Sequence, residues 1–149
     1  MIVVLDASVA LKWQFEDEEV LSGATDLLKD FTDNRIELMT LSLFPYEILS
    51  AINVAINRKR IEEEAGYRAI HYITSLGIEM RGFDDLIDST FHMARRYGLS
   101  PYDCAYIALS EKEKCDFFTG DKKLFNSIKH RLSWVKWIGD YRSSVNSSN

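Results

Sequence analysis

The sequence predicts a three-layer α/β domain: a mostly parallel central sheet with helices on both faces. Three observations carry this. Short apolar runs alternate with longer stretches of helical periodicity, the pattern of right-handed βαβ crossovers. The first run, Ile2-Val3-Val4-Leu5, is apolar at every position, as in a strand covered on both faces. The chain has 149 residues, 46% hydrophobic and 28% charged, with no internal repeat and no internal linker rich in Gly, Pro or Ser. That suits one domain with a sizeable core.

After the Ile2–Leu5 strand, a short helix is expected over Ala7–Trp13. Glu18–Phe31 carries a helical stripe of Val20, Leu21, Ala24, Leu27, Leu28 and Phe31. Glu37–Thr40 reads as a short strand, and Pro45 suits the first position of a long helix to about Arg58. A helix over Ile61–Ser75 has Gly77 at its C-terminal cap, followed by a weak strand over Ile78–Met80. Asp84 or Asp85 is expected to cap a helix ending at Gly98. Ser100-Pro101 opens the next helix, to about Lys114. Asp116–Thr119 is a strand, then comes a helix to about Arg131 and a last strand over Trp134–Ile138. The domain is expected to fill residues 1–142, and the polar tail 143–149 to be disordered.

Composition excludes several classes. No apolar run approaches the roughly 20 residues of a membrane span, and the N-terminus lacks the pattern of a signal peptide. A soluble, cytoplasmic protein with no membrane partner is expected. Cys104 and Cys115 form no Cys-x-x-Cys pair and have no histidine at ligand spacing, so they read as packing residues in a reducing compartment. A net charge of −5 argues against a general DNA coater. It leaves room for a nucleic-acid enzyme in which metal and local lysines offset the charge.

The chemistry is concentrated in Asp6, Glu47, Asp103 and Asp121. Asp6 and Asp121 directly follow strand segments, and functional crevices of parallel sheets lie at the carboxyl ends of strands. Glu47 and Asp103 each lie two residues after a proline, early in a helix. Each acid also has a local explanation. Asp6 and Asp121 could cap the helices that follow them. Ser100 to Asp103 reads as a capping box, and Glu47 suits a helix N-terminus. These explanations do not cover the surroundings: the helices after Glu47 and Asp103 are apolar nearly all round, so both are expected to be buried. Four converging carboxylates would repel one another, and a hard divalent cation, Mg²⁺ or Mn²⁺, is the simplest relief.

The blocks Asp6-Ala7-Ser8, Pro45-Tyr46-Glu47, Leu99 to Leu109 and Phe118-Thr119-Gly120-Asp121-Lys122-Lys123-Leu124 occur in that order. Together they resemble the PIN domain family, in its VapC-type toxin branch. The resemblance runs from Ile2 to about Ile138, with a loose match over Ile78–Phe83 and no counterpart for the tail. It implies a PIN-like fold and a Mg²⁺- or Mn²⁺-dependent endoribonuclease, the toxin of a toxin–antitoxin pair. The family's catalytic and metal positions fall on Asp6, Glu47, Asp103 and Asp121, and its small hydroxyl positions on Ser8 and Thr119. Asp6 and Asp103 are the first choice as direct ligands. Asp121 and Glu47 would bind directly, through water or at a second metal, with Glu47 as a general base the other option. The resemblance also implies an RNA substrate, a small antitoxin partner and a homodimer.

The remaining charged and aromatic residues divide by position. Arg58-Lys59-Arg60, Arg95-Arg96, Lys129 and Arg131 fall at helix ends, where cations suit the dipole. Lys122 and Lys123 sit in a first turn, where cations are disfavoured, and are candidates for RNA phosphate. Trp13 and Phe15 could stack on a base, although core packing is the simpler reading, and His71, His92 and His130 are isolated.

Two other functions stay open. A PIN-like module could bind RNA or protein without cleaving it, although a pure binder has no need for four mutually repelling acids. A phosphatase of the haloacid-dehalogenase type would need a second aspartate where Ser8 stands. A receiver domain would need an acceptor aspartate at the end of the middle strand, and Glu37–Thr40 offers none.

Overall fold

In the computed structural model, which describes residues 1–15 and 22–145, five parallel strands form one sheet in the order β3-β2-β1-β4-β5. The strands are β1 (Ile2–Leu5), β2 (Glu37–Leu41), β3 (Glu79–Arg81), β4 (Asp116–Thr119) and β5 (Val135–Trp137). The helices are α1 (Ala7–Leu11), α2 (Ser22–Thr32), α3 (Phe44–Asn57), α4 (Glu63–Ser75), α5 (Ile87–Tyr97), α6 (Pro101–Glu113) and α7 (Lys122–Ile128). A 3-10 turn, Ile138–Asp140, follows β5. No described helix is long and apolar enough to cross a membrane.

The central strand β1 pairs with β2 on one side and β4 on the other, with Val4 opposite both Met39 and Phe117. Chain order runs outward to β3, then returns across β1 to β4, so β1 and β4 flank the topological switch point. Side chains alternate across the sheet. Val4, Met39, Phe117 and Val135 pack with α5, α6 and α7 on one face. Val3, Leu5, Leu38 and Phe118 pack with Ala24 and Leu27 of α2 and with Ile138 on the other. This two-sided burial is why the strands read as continuous apolar runs. A third cluster joins α1, α3 and α4 through Ala10, Ile48, Ile52 and Ile73.

Several local expectations shift. Residues 16–21, including Val20 and Leu21 of the predicted stripe, lie outside the described residues, as do 146–149. Neither Asp84 nor Asp85 caps α5: its cap position is Leu86, without a side-chain cap, and Asp85 instead pairs with Lys112 on α6. Gly98 does end α5, in the left-handed region at φ 67°. The helix after β4 stops at Ile128, short of Arg131. Burial all round holds for α6, where Cys104 through Ser110 are all buried. It fails for α3, which exposes Tyr46, Leu49 and Val54. Trp13 and Phe15 are packing residues. Phe15 is buried, and Trp13 Nε1 donates to the Ala24 carbonyl at 2.9 Å.

Candidate active site

The four acids come from four places at the carboxyl edge of the sheet. Asp6 leaves the end of β1 and caps α1, Asp121 follows β4 and caps α7, and Glu47 and Asp103 lie in the first turns of α3 and α6. The capping explanations are therefore observed: Asp6 accepts from the Ser8 N–H at 3.1 Å and Asp121 from the Leu124 N–H at 3.1 Å. The Ser100 hydroxyl likewise accepts from the Asp103 N–H at 3.1 Å. Capping does not account for the rest of the arrangement.

Asp6 is buried, with only 6% of its surface exposed. Its Oδ2 accepts from the Thr119 hydroxyl at 2.7 Å, and its Oδ1 accepts from the Ser8 hydroxyl as well as the Ser8 N–H. Ser8 Oγ in turn accepts from the Gly120 N–H at 2.8 Å, and Thr119 Oγ1 accepts from the Asp121 N–H at 3.1 Å. These bonds tie the start of α1 to the end of β4 across the switch point. The approach is close enough to require glycine at 120, since a Cβ there would lie 2.8 Å from the Ser8 carbonyl oxygen. Both hydroxyls predicted to support the acids are thus hydrogen-bonded to Asp6.

The electrostatics follow from this placement. Burial first, and the charges of Glu47 and Asp103 after it, raise the Asp6 carboxyl to about 6 against the lowering effect of Ser8 and Thr119. Glu47 is raised by burial and then by Asp103, against its hydrogen bond from Tyr106. Asp103 is raised by burial and then by Asp121, against Ser100. The acids therefore act on one another as a connected set.

Tyr106 is the site residue that the sequence reading missed. It lies one helical turn after Asp103, is buried, and donates its hydroxyl to Glu47 Oε1. Its ring stacks on Phe117 at 5.8 Å between centroids. The available signal was a tyrosine inside an otherwise apolar helix, because a buried tyrosine hydroxyl needs a partner. Lys122 and Lys123 are exposed at the start of α7, as expected. Lys122 also lies over the Trp137 ring, 4.5 Å from its centroid, so its position has a packing contribution.

An oxygen-only, negatively charged donor set suits a hard divalent cation. Among the described residues, however, no three acid, imidazole or thiolate groups close around an ion. Asp6, Glu47 and Asp121 are each turned towards hydrogen-bond donors of the protein. This suits an ion such as Mg²⁺, which uses one or two carboxylates and completes its shell with water and substrate phosphate.

The family model described as PIN domain matches residues 3–130. Ribonuclease VapC3 of Pyrobaculum aerophilum is 26% identical over 90 residues, spanning 59% of this chain and 69% of that protein. The crystal structure of PAE2754 from Pyrobaculum aerophilum superposes with a TM-score of 0.68 at 19% identity, covering 93% of this chain and 92% of the other. VapBC2 from Rickettsia felis, bound to a DNA fragment from their promoter, gives a TM-score of 0.63 at 13% identity, covering 92% and 97%.

Proposed function

Because the chain belongs to the PIN domain family, we propose that it is a Mg²⁺- or Mn²⁺-dependent endoribonuclease that hydrolyses RNA phosphodiesters at the four-carboxylate site. In the same reading it is a cytoplasmic toxin held in check by a small antitoxin protein. The similarity to Ribonuclease VapC3 supports the activity, and the fold shared with VapBC2 is consistent with the pairing. The observation that carries the proposal is Asp6: a buried carboxyl at the switch point, pushed up by burial and by the charges of Glu47 and Asp103. A homodimer belongs to the same reading. Ile87 and Phe91, one turn apart on α5, expose an apolar face suited to a second copy.

Asp6 and Asp103 would hold the ion, with Asp121 at its margin. When bound there, a divalent cation activates water and offsets charge on the phosphate. Ser8 and Thr119 fix the plane of the Asp6 carboxylate, so it needs no reorientation during the reaction. Tyr106 holds Glu47, whose raised proton affinity suits it to accept a proton from the attacking water. Lys123, exposed in the first turn of α7, and its neighbour Lys122 draw the phosphate backbone towards the acids. Asp6 must be ionised to hold a cation, so metal affinity should rise with pH through about 6.

The test is cleavage of an unstructured RNA in Mg²⁺ or Mn²⁺ against EDTA, with wild type and folded Asp103→Asn. Cleavage should require both the metal and Asp103. RNA binding with no metal-dependent cleavage by the wild type would favour the non-catalytic module instead.

A further inference from the structure

Beside the acids, towards β3, the carboxyl edge of the sheet opens into a cavity of about 460 Å³. Its walls are Leu41 and Leu43 after β2, Tyr46 of α3, Tyr102 and Ala105 of α6, and Phe83 after β3. Phe83 reaches the cavity because β3 pairs with β2, and the Ser42 N–H extends that pairing to the Arg81 carbonyl at 2.9 Å. Tyr46 immediately precedes Glu47, and Tyr102 immediately precedes Asp103. The two helix starts that position acids therefore also position rings. Those rings are open to solvent, with Tyr46 73%, Tyr102 65% and Phe83 38% exposed.

We propose that this cavity is a nucleobase subsite in which the rings of Tyr46, Tyr102 and Phe83 take one unpaired base next to the scissile phosphate. The proposal rests on the nuclease reading above and deepens it. A base offers flat π-faces to aromatic walls, and stacking of this kind needs no particular sequence. In a duplex those faces are already stacked, so the subsite selects unpaired segments. The volume falls within the range of small-ligand pockets. The location fits as well, since a phosphate held at the acids places its own nucleotide's base beside them. On the opposite flank, past β4, stand Lys122 and Lys123. A strand crossing this edge meets cations, then acids, then aromatic rings.

The test uses a single-stranded RNA carrying 2-aminopurine, whose fluorescence falls on stacking, mixed rapidly with protein in Mn²⁺ and read before cleavage. Wild type should quench it. Tyr46→Ala and Tyr102→Ala should each lose quenching and raise KM for the single strand roughly 5- to 10-fold, with kcat little changed. Tyr46→Phe and Tyr102→Phe should behave as wild type, and binding of duplex RNA should not respond to any of these variants. Absence of quenching by wild type, or alanine variants that weaken single strand and duplex equally, would overturn the subsite. So would alanine variants that halve the molar mass in light scattering without changing RNA affinity, because the cavity would then be a contact between copies. Cleavage on the same samples separates the two claims. Cleavage with unchanged quenching in the alanine variants removes the subsite alone, whereas no metal-dependent cleavage by wild type removes the nuclease reading.

Discussion

Asp6 and Asp30 are both buried aspartates, yet their surroundings move them in opposite directions. Asp30, in α2, accepts from Tyr141 at 2.7 Å, from Ser143 at 2.7 Å and from the Arg35 guanidinium at 3.0 Å. Burial alone would raise its carboxyl, but these three hydrogen bonds and the Arg35 charge together bring it below the ordinary range. For Asp6 burial is the largest effect; its two hydroxyl partners only partly offset it, and the charges of Glu47 and Asp103 add to it, so its carboxyl stands at about 6. A buried carboxylate with a matched cation is a structural fastener. One surrounded by other acids is relieved by taking up a proton or a cation. The α2 site completes itself, whereas in the proposed reading the switch-point site is completed by a bound cation.

The largest expected effect of breaking this contrast is on activity. Asp6→Asn should lower metal-dependent RNA cleavage by roughly 10³-fold, since metal assistance to phosphoryl chemistry contributes several kcal/mol; single-turnover rates at saturating Mn²⁺ check this. Asp30→Ala should leave the rate per folded molecule intact and reduce stability by about 3 kcal/mol, because it strips a buried network of its acceptor. Urea unfolding measures that loss.

Tyr106→Phe keeps the ring on Phe117 but frees Glu47, and should slow cleavage roughly 10- to 100-fold with little change in melting temperature. The smallest effect is the most diagnostic. The raised carboxyl of Asp6 means that the metal-free native state binds its proton more tightly than the unfolded chain does. This contribution leaves the fold most stable below about pH 4 and weakens it as pH rises to about 6, with the full penalty in place above that. For Asp30 the sign is reversed: its contribution is present above the ordinary aspartate range and is lost as pH falls through the lowered value. Asp6→Asn should therefore stabilise metal-free protein at neutral pH by about 1–2 kcal/mol, and Mn²⁺ should cancel that advantage by stabilising the wild type alone.

Much of this contrast was legible in the sequence, though only on one side. The β1 and β4 strands, covered on both faces, announce themselves as apolar runs, and Asp6 and Asp121 stand directly after them. Ser8 and Thr119 were legible only through the resemblance to the PIN domain family, which carries small hydroxyls at those positions. Asp30 could not be recognised: it sits in an amphipathic helix like a surface residue, and two of its partners lie 111 and 113 positions away. Ser143, grouped with the tail from sequence, is one of them. The Tyr106–Glu47 bond joins two helices 59 positions apart, and the turn to Lys112 that takes Asp85 from its expected capping role is likewise a packing result. The exposed rings beside the acids were hidden for a related reason. Composition marks α3 as apolar, but only the packed sheet and helices decide that Tyr46 faces outward.

The most direct measurement is calorimetric titration of Mn²⁺ into metal-free protein at about pH 5.5, in two buffers of different ionisation enthalpy, for wild type and folded Asp6→Asn. The account predicts that wild type binds Mn²⁺ and releases part of a proton, and that Asp6→Asn does neither. Binding of equal strength by both proteins, or no proton release by wild type, would contradict the claim that the buried Asp6 carboxyl is held for a cation.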